Sequence, residues 1–405
     1  MKKLIRPRRL AWSRTSAFQA GNTGSNPVGA TKIKIGQYFL KYIKKNMKKE
    51  IRVFGKAKYE IKKRKVEEIQ DFYFKHLENV FKLFPPEKIE EIIALEYPKS
   101  PKEIRMINIA NQLTSDLMKE CGVEPYDIPV ENVHILPPEL YKDITKLDSV
   151  ACAEPSRGAL LFNALEFRNN PLFFCSVLTH ELLHLKAYLS IEVNESNVSD
   201  KNKVIITPRR RGVSVHSTKK VGPQPYFNGL HEAIVAETQK RLLPKILELE
   251  DFKEEREWLN SDDVKRIKKE DTKECAKKNN IPEEDIPELE KDIIWISKLD
   301  HKVYRNSYFY QRKVLKYICE EIQKQFPDKF KNPDDVFKLF LKAHFTGNIL
   351  EIGRLVAKTF GKLSFQVLGM MGGDDGSARR CLRYLKTARS EILKSARKEN
   401  KDEQK

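Results

Sequence analysis

Between Pro171 and Leu189 runs the longest apolar-rich stretch of this 405-residue chain, and its interior carries Thr179, His180, Glu181, His184 and Lys186. A bilayer would reject those groups, and no run of 18 uninterrupted apolar residues occurs anywhere in the sequence. The stretch must therefore be buried in protein. Asn170-Pro171 predicts a helix start, with Asn as cap and Pro in the first turn, and the helix is expected to run to about Leu189. Phe173, Phe174, Val177, Leu178, Leu182, Leu183 and Leu185 surround the polar residues, the pattern of a helix buried on all sides. Burying His, Glu and His without partners is costly, so these three side chains need a role.

Their spacing suggests one. His180 and His184 are four residues apart, so both imidazoles lie on one face of the helix. Two such rings can hold one zinc ion at roughly 2.0–2.1 Å. Glu181, one residue round, points beside that position, where a carboxylate can take a proton from water attacking a carbonyl. Only 8 histidines occur in the chain, so this is a dense concentration. The competing reading is a pair of satisfied core histidines. A third ligand is needed. A third histidine six residues after His184, behind a glycine at the third, is closed as a route, because those places hold Ser190 and Ala187. Leu230-His231-Glu232-Ala233-Ile234 offers a carboxylate 48 residues after His184, at the start of a helix predicted over about 229–243, with Asn228 as cap and Pro244 as stop.

Together, His180-Glu181-Leu182-Leu183-His184 and the Glu232 segment resemble the gluzincin zinc metallopeptidases, the thermolysin-like and aminopeptidase-like group, over about residues 130–243. The resemblance implies a zincin-like core and peptide-bond hydrolysis. It implies one catalytic Zn2+ held by His180, His184 and Glu232, with Glu181 as general base. It also implies an edge strand that binds an extended peptide, for which Ala159 to Phe162 is the candidate, the alternative being an ordinary core strand. Tyr308, in the segment from His301 to Tyr310, is the candidate donor to the oxyanion, against the alternative of an aromatic core residue. The chain departs from the family twice. His231 stands where Asn is usual, and would be a ligand itself if Glu232 turned away. Ala236 stands where an acid often orients a ligand histidine, with Glu237 one place on as its substitute. The plain alternative for Glu232 and Glu237 is exposed helix charge. Arg209-Arg210-Arg211 reads as a substrate-carboxylate site or a solvated turn, and His216 as surface or substrate-facing. Gly373-Asp374-Asp375-Gly376-Ser377 lacks calcium-loop spacing and reads as a turn with a helix cap.

Net charge is +19, which raises a nucleic-acid reading. Residues 1–65 hold 20 Lys or Arg against Glu50 and Glu60, so the remaining body is nearly neutral and the excess belongs to the tail. Residues 1–46 contain no acid, and Gly24-Ser25-Asn26-Pro27 is what the T-loop of a tRNA gene gives when translated. A start at Met47 is expected, against a disordered basic arm or a targeting peptide. Nucleic acid and membrane are not expected partners; a peptide or protein substrate is. Six cysteines without a C-x-x-C pair read as reduced thiols in a cytoplasmic protein.

The expected class is α+β, mainly helical, with a small sheet beside the active helix and a helical C-terminal part. Its regions are a basic tail (1–46), an N-terminal helical region (47–125, helical from about 57), a catalytic core (126–250), a charged linker or helix (251–290) and C-terminal helices (291–405), broken at Phe326-Pro327 and Gly372-Gly373. Strands are expected at Val133–Leu136 and 158–163, with a hairpin of Val204–Thr207 and Gly212–Val215. The alternatives to a peptidase are a zinc-bearing scaffold or regulator without general proteolysis, and, behind it, a nucleic-acid-binding protein.

Overall fold

The computed structural model describes residues 95–403 apart from 146–148, 155–158, 169, 196–203 and 217–224. The expectations for the tail, for a start at Met47 and for the helix before residue 95 lie outside the described residues. The described chain is mainly helical with three small sheets, where one was expected.

Helix α1 (Pro101–Glu120) opens on a full capping box: the Ser100 hydroxyl accepts from the Glu103 amide at 3.2 Å, and the Glu103 carboxylate accepts from the Ser100 amide at 2.6 Å. Then come β1 (Val133–Leu136), α2 (Pro138–Thr145), β2 (Ala151–Glu154), β3 (Ala159–Asn163), α3 (Ala164–Phe167) and α4 (Pro171–Lys186). The sheet order is β1-β3-β2, with β1 parallel and β2 antiparallel to β3. Ala159 to Phe162 is thus the central strand, not an edge; all four residues are buried, which suits a strand covered on both faces. The edge beside α4 is β2, whose Ala-Cys-Ala-Glu sequence carries no strand signature.

Helix α4 ends three residues earlier than expected because Leu189 begins β4 (Leu189–Glu195). Asn170 does not cap it. Its side-chain oxygen accepts from the Trp295 indole at 2.8 Å, and its side-chain NH2 donates to the Glu166 carbonyl at 2.8 Å. Strand β5 (Val204–Arg211) pairs antiparallel with β4, and its end pairs with β6 (Ser214–Val215) across Gly212. The expected hairpin therefore holds for residues 210–215, while 204–207 pair with β4. Helix α5 (Asn228–Glu248) follows Phe227, whose left-handed backbone makes Asn228 the first helical residue rather than the cap. Pro244 does not stop α5: Leu242, Leu243 and Ile246 are buried on either side of it, and that packing overrides local propensity.

The charged segment is largely helix: α6 (Lys253–Leu259), α7 (Asp262–Lys278) and α8 (Ile286–Glu290). Next, where helix was expected, comes the hairpin of β7 (Ile293–Ile296) and β8 (Val303–Arg305); Ile-Ile-Trp-Ile is strong strand sequence. Helices α9 (Phe309–Gln325), α10 (Pro333–Thr346), α11 (Leu350–Phe360), α12 (Ser364–Gly369) and α13 (Asp375–Glu403) complete the chain. The breaks at 326–327 and 372–373 are where the sequence puts them; Gly347 and Gly361, both at positive φ, add two more.

Two apolar cores meet at α4 and α5. One joins β1, β3, β7 and the front of α4, including Phe162, Phe173, Phe174 and Trp295. The other joins α9 to α13 with Leu230, Ile234 and Val235 of α5 and Leu183 of α4. Side chains at the α4–α5 contact are therefore clamped from both sides. No helix among the described residues is long and apolar enough to cross a membrane.

Candidate metal centre

The buried faces of α4 and α5 bring three donor groups together. Nitrogen atoms of His180 and His184 and a carboxylate oxygen of Glu232 all lie within 4.8 Å of one another. The two Nε2 atoms are 3.2 Å apart. Glu232 Oε2 is 3.3 Å from Nε2 of His184 and 4.0 Å from Nε2 of His180. Two nitrogens bonded at about 2.0–2.1 Å to one tetrahedral ion stand about 3.3–3.4 Å apart, so the spacing fits a small divalent cation. His184 is 2% exposed and Glu232 1%, and an ionised carboxylate at that depth calls for a cationic partner.

The outer ring nitrogens are held from behind. Gln239 is fixed by Ser176: its Nε2 lies 3.2 Å from the Ser176 carbonyl, which can only accept, and 3.0 Å from the Ser176 hydroxyl. Its Oε1 must then face His180, 3.0 Å from Nδ1, so Nδ1–H donates and the lone pair sits on Nε2, towards the group. His184 makes the corresponding contact to a second imidazole, with Nδ1 3.0 Å from Nε2 of His231. His231 thus supports His184, and the carboxylate facing the group is Glu232. His231 in turn stacks on His344 of α10, centroids 5.0 Å apart at 26°. Nε2–H of His344 donates to the Leu183 carbonyl at 3.0 Å. Burial lowers the pKa of all four rings, well below the usual imidazole value for His184 and His231 and to about 4 for His344. All four are therefore neutral at pH 7, the form that ligates.

Glu181 lies beside the group on α4 and is 7% exposed. Its carboxylate accepts from the Ala153 amide of β2, linking the helix to the sheet edge. Burial first, then the neighbouring Glu232 carboxylate, pushes its pKa up to about 8, against the pull of Arg211. At pH 7 the carboxyl therefore holds its proton, and a cation held by His180, His184 and Glu232 would favour the ionised form that can accept one from water.

Tyr308, half-buried, sits at the start of α9 with a left-handed backbone, and its ring lies parallel to that of His180, centroids 6.5 Å apart. Arg211 is not a solvated turn residue: its Nε lies 3.4 Å from the His184 carbonyl, at the end of α4. His216 is half-buried, and its amide bonds the Arg209 carbonyl at 2.8 Å. Glu237 turns away from the histidines and accepts from Arg241 at 2.8 Å. The turn with a helix cap at 373–377 is found, the Ser377 amide donating to the Asp374 carboxylate at 2.8 Å.

Gln239, His344 and Gly212 carry no motif that sequence reasoning recognises. Gly212 has φ +55, and a Cβ there would lie 2.7 Å from Nδ1 of His231 and 2.9 Å from Nδ1 of His344. The two stacked rings fit because that residue has no side chain.

Comparison of the chain with protein-family models, with curated proteins and with solved structures matches none of them.

Proposed function

We propose that the protein is a zinc-dependent peptidase of the gluzincin kind, with His180, His184 and Glu232 as ligands and Glu181 as general base. The carrying observation is the convergence of two imidazole Nε2 atoms and one buried carboxylate within 4.8 Å, with both outer nitrogens already engaged. When bound, zinc supplies Lewis-acid chemistry: it polarises a carbonyl and acidifies water. Glu181 then takes the proton of the attacking water and returns it to the departing amine. Tyr308 is the candidate donor to the developing oxyanion. In this reading the sheet β1-β3-β2 with α4 and α5 is a zincin-like core, and the outer edge of β2 receives the extended substrate. The six unpaired cysteines favour a cytoplasmic location.

A second reading, a zinc-bearing scaffold without general proteolysis, is favoured by the closure of the site, since His180 and Glu181 are each 7% exposed. The test is the metal content of the purified chain by elemental analysis, with Glu232→Ala alongside, followed by a peptide-library screen. One zinc per chain, lost in the variant, supports the ligand set, and a folded chain without zinc removes it. A zinc-loaded chain that cleaves no peptide leaves the scaffold reading.

A further inference from the structure

We infer that His344, more than 100 residues beyond the ligands in sequence, is a positioning residue for His184. The inference rests on the metal reading above. His344 is fully buried in α10. It reaches His184 by two routes. The first is through the backbone. Leu183 belongs to the last turn of α4, whose carbonyls have no intrahelical acceptor role left to fill, and His344 Nε2–H satisfies this one at 3.0 Å. Arg211 and Tyr126 reach the next two carbonyls, those of His184 and Leu185, at 3.4 and 3.1 Å. The end of the helix is thus held by side chains from three separate elements.

The second route is through rings. His231 bonds the outer nitrogen of His184, and His344 covers the face of His231. Gly212 closes on both from the side, and a Cβ there would collide with the Nδ1 atom of each ring. For the His184 ring to rotate, His231 must move, and His344 and Gly212 block it. The backbone of α10 is tied in as well, because the Tyr188 amide, just beyond α4, bonds the His344 carbonyl at 3.0 Å. The C-terminal helical part therefore bears directly on the aim of a ligand.

His344→Leu removes both contacts at similar bulk, whereas His344→Gln keeps a donor for Leu183 and removes the stacked ring. Zinc affinity is measured on the full chain by chelator competition, and the visible spectrum of the cobalt(II)-substituted protein reports the ligand field. Loss of an outer-shell partner costs about 10–100-fold in metal affinity. The expected result is a loss in that range for His344→Leu with altered cobalt bands, and a smaller loss with a detectable band shift for His344→Gln. Should His344→Leu not fold, the His344→Gln spectrum decides. Parental affinity and parental spectra in the folded variants overturn the inference alone. A parental chain that binds neither metal overturns the metal reading and this inference with it.

Discussion

Gln239 dictates which nitrogen of His180 carries the proton, since its amide is anchored on Ser176 at 3.0 and 3.2 Å and leaves its oxygen 3.0 Å from Nδ1. Gln239→Leu removes that acceptor and frees the ring to take the other tautomer. Zinc affinity of this variant should fall about 10–100-fold, with a far-UV spectrum like the parent's. Chelator competition measures it, and parental affinity would show that Gln239 only packs.

Glu181→Gln separates binding from chemistry. The amide is isosteric and can still meet the β2 edge, so zinc content should stay at the parental level. Hydrolysis of any peptide the parent cleaves should fall by about 100-fold or more, the usual contribution of a general base. Turnover within a few-fold of the parent would end the role assigned to Glu181.

Acid should destabilise the fold in a way that His344 shapes. Burial holds its folded pKa at about 4, below the ordinary value of 6.5. The unfolded chain therefore binds a proton that the folded chain refuses. This contribution to stability is complete above pH 6.5 and is lost as pH falls from 6.5 towards 4, by roughly 3 kcal/mol in all. Urea midpoints at pH 7.5 and 4.5 should diverge less in His344→Leu than in the parent. An equal fall in both would place the acid sensitivity elsewhere.

The sequence shows the candidate ligands and hides what supports them, for a geometric reason. His180 and His184 lie on one helix, where spacing alone fixes their common face, and the apolar flanks announce burial. The support for His180 comes from another helix. Glu237 looks like the natural candidate by charge, but it is five residues after Glu232 and so lies on another side of α5. Gln239, seven residues on, returns within about 20° of the same face. An uncharged amide there reads as ordinary surface until Ser176 and His180 are seen against it. His344 is hidden more deeply, since its contacts join residues 161 apart to Leu183. Strand β2 escaped because its small residues carry no alternation, whereas Ile293–Ile296 was read as helix because a short apolar run does not declare its period.

Gly229 should prove as important to the centre as a ligand, although it touches none. Its amide donates to the Met371 carbonyl at 2.9 Å, and the preceding Phe227 amide donates to Gly369 at 2.7 Å, so the start of α5 is docked on the turn before α13. A Cβ on Gly229 would lie 2.3 Å from the Gly372 carbonyl oxygen and 2.8 Å from that of Met371. Both are backbone atoms that no rotamer change removes. The same turn approaches Tyr308, whose ring lies 3.7 Å from where a Gly373 Cβ would be. Gly229→Ala must therefore push the first turn of α5 off its seat, and Glu232 stands three residues further along that turn. Overpacking of this kind costs about 1–3 kcal/mol, and the displaced carboxylate should weaken zinc binding at least tenfold. Gly122→Ala is the control: it also strains its backbone, at φ +74, but its Cβ meets nothing within 4 Å, so it should lower stability and leave zinc affinity at the parental value. If the two variants bind zinc equally well at matched folding, α5 does not depend on this seat.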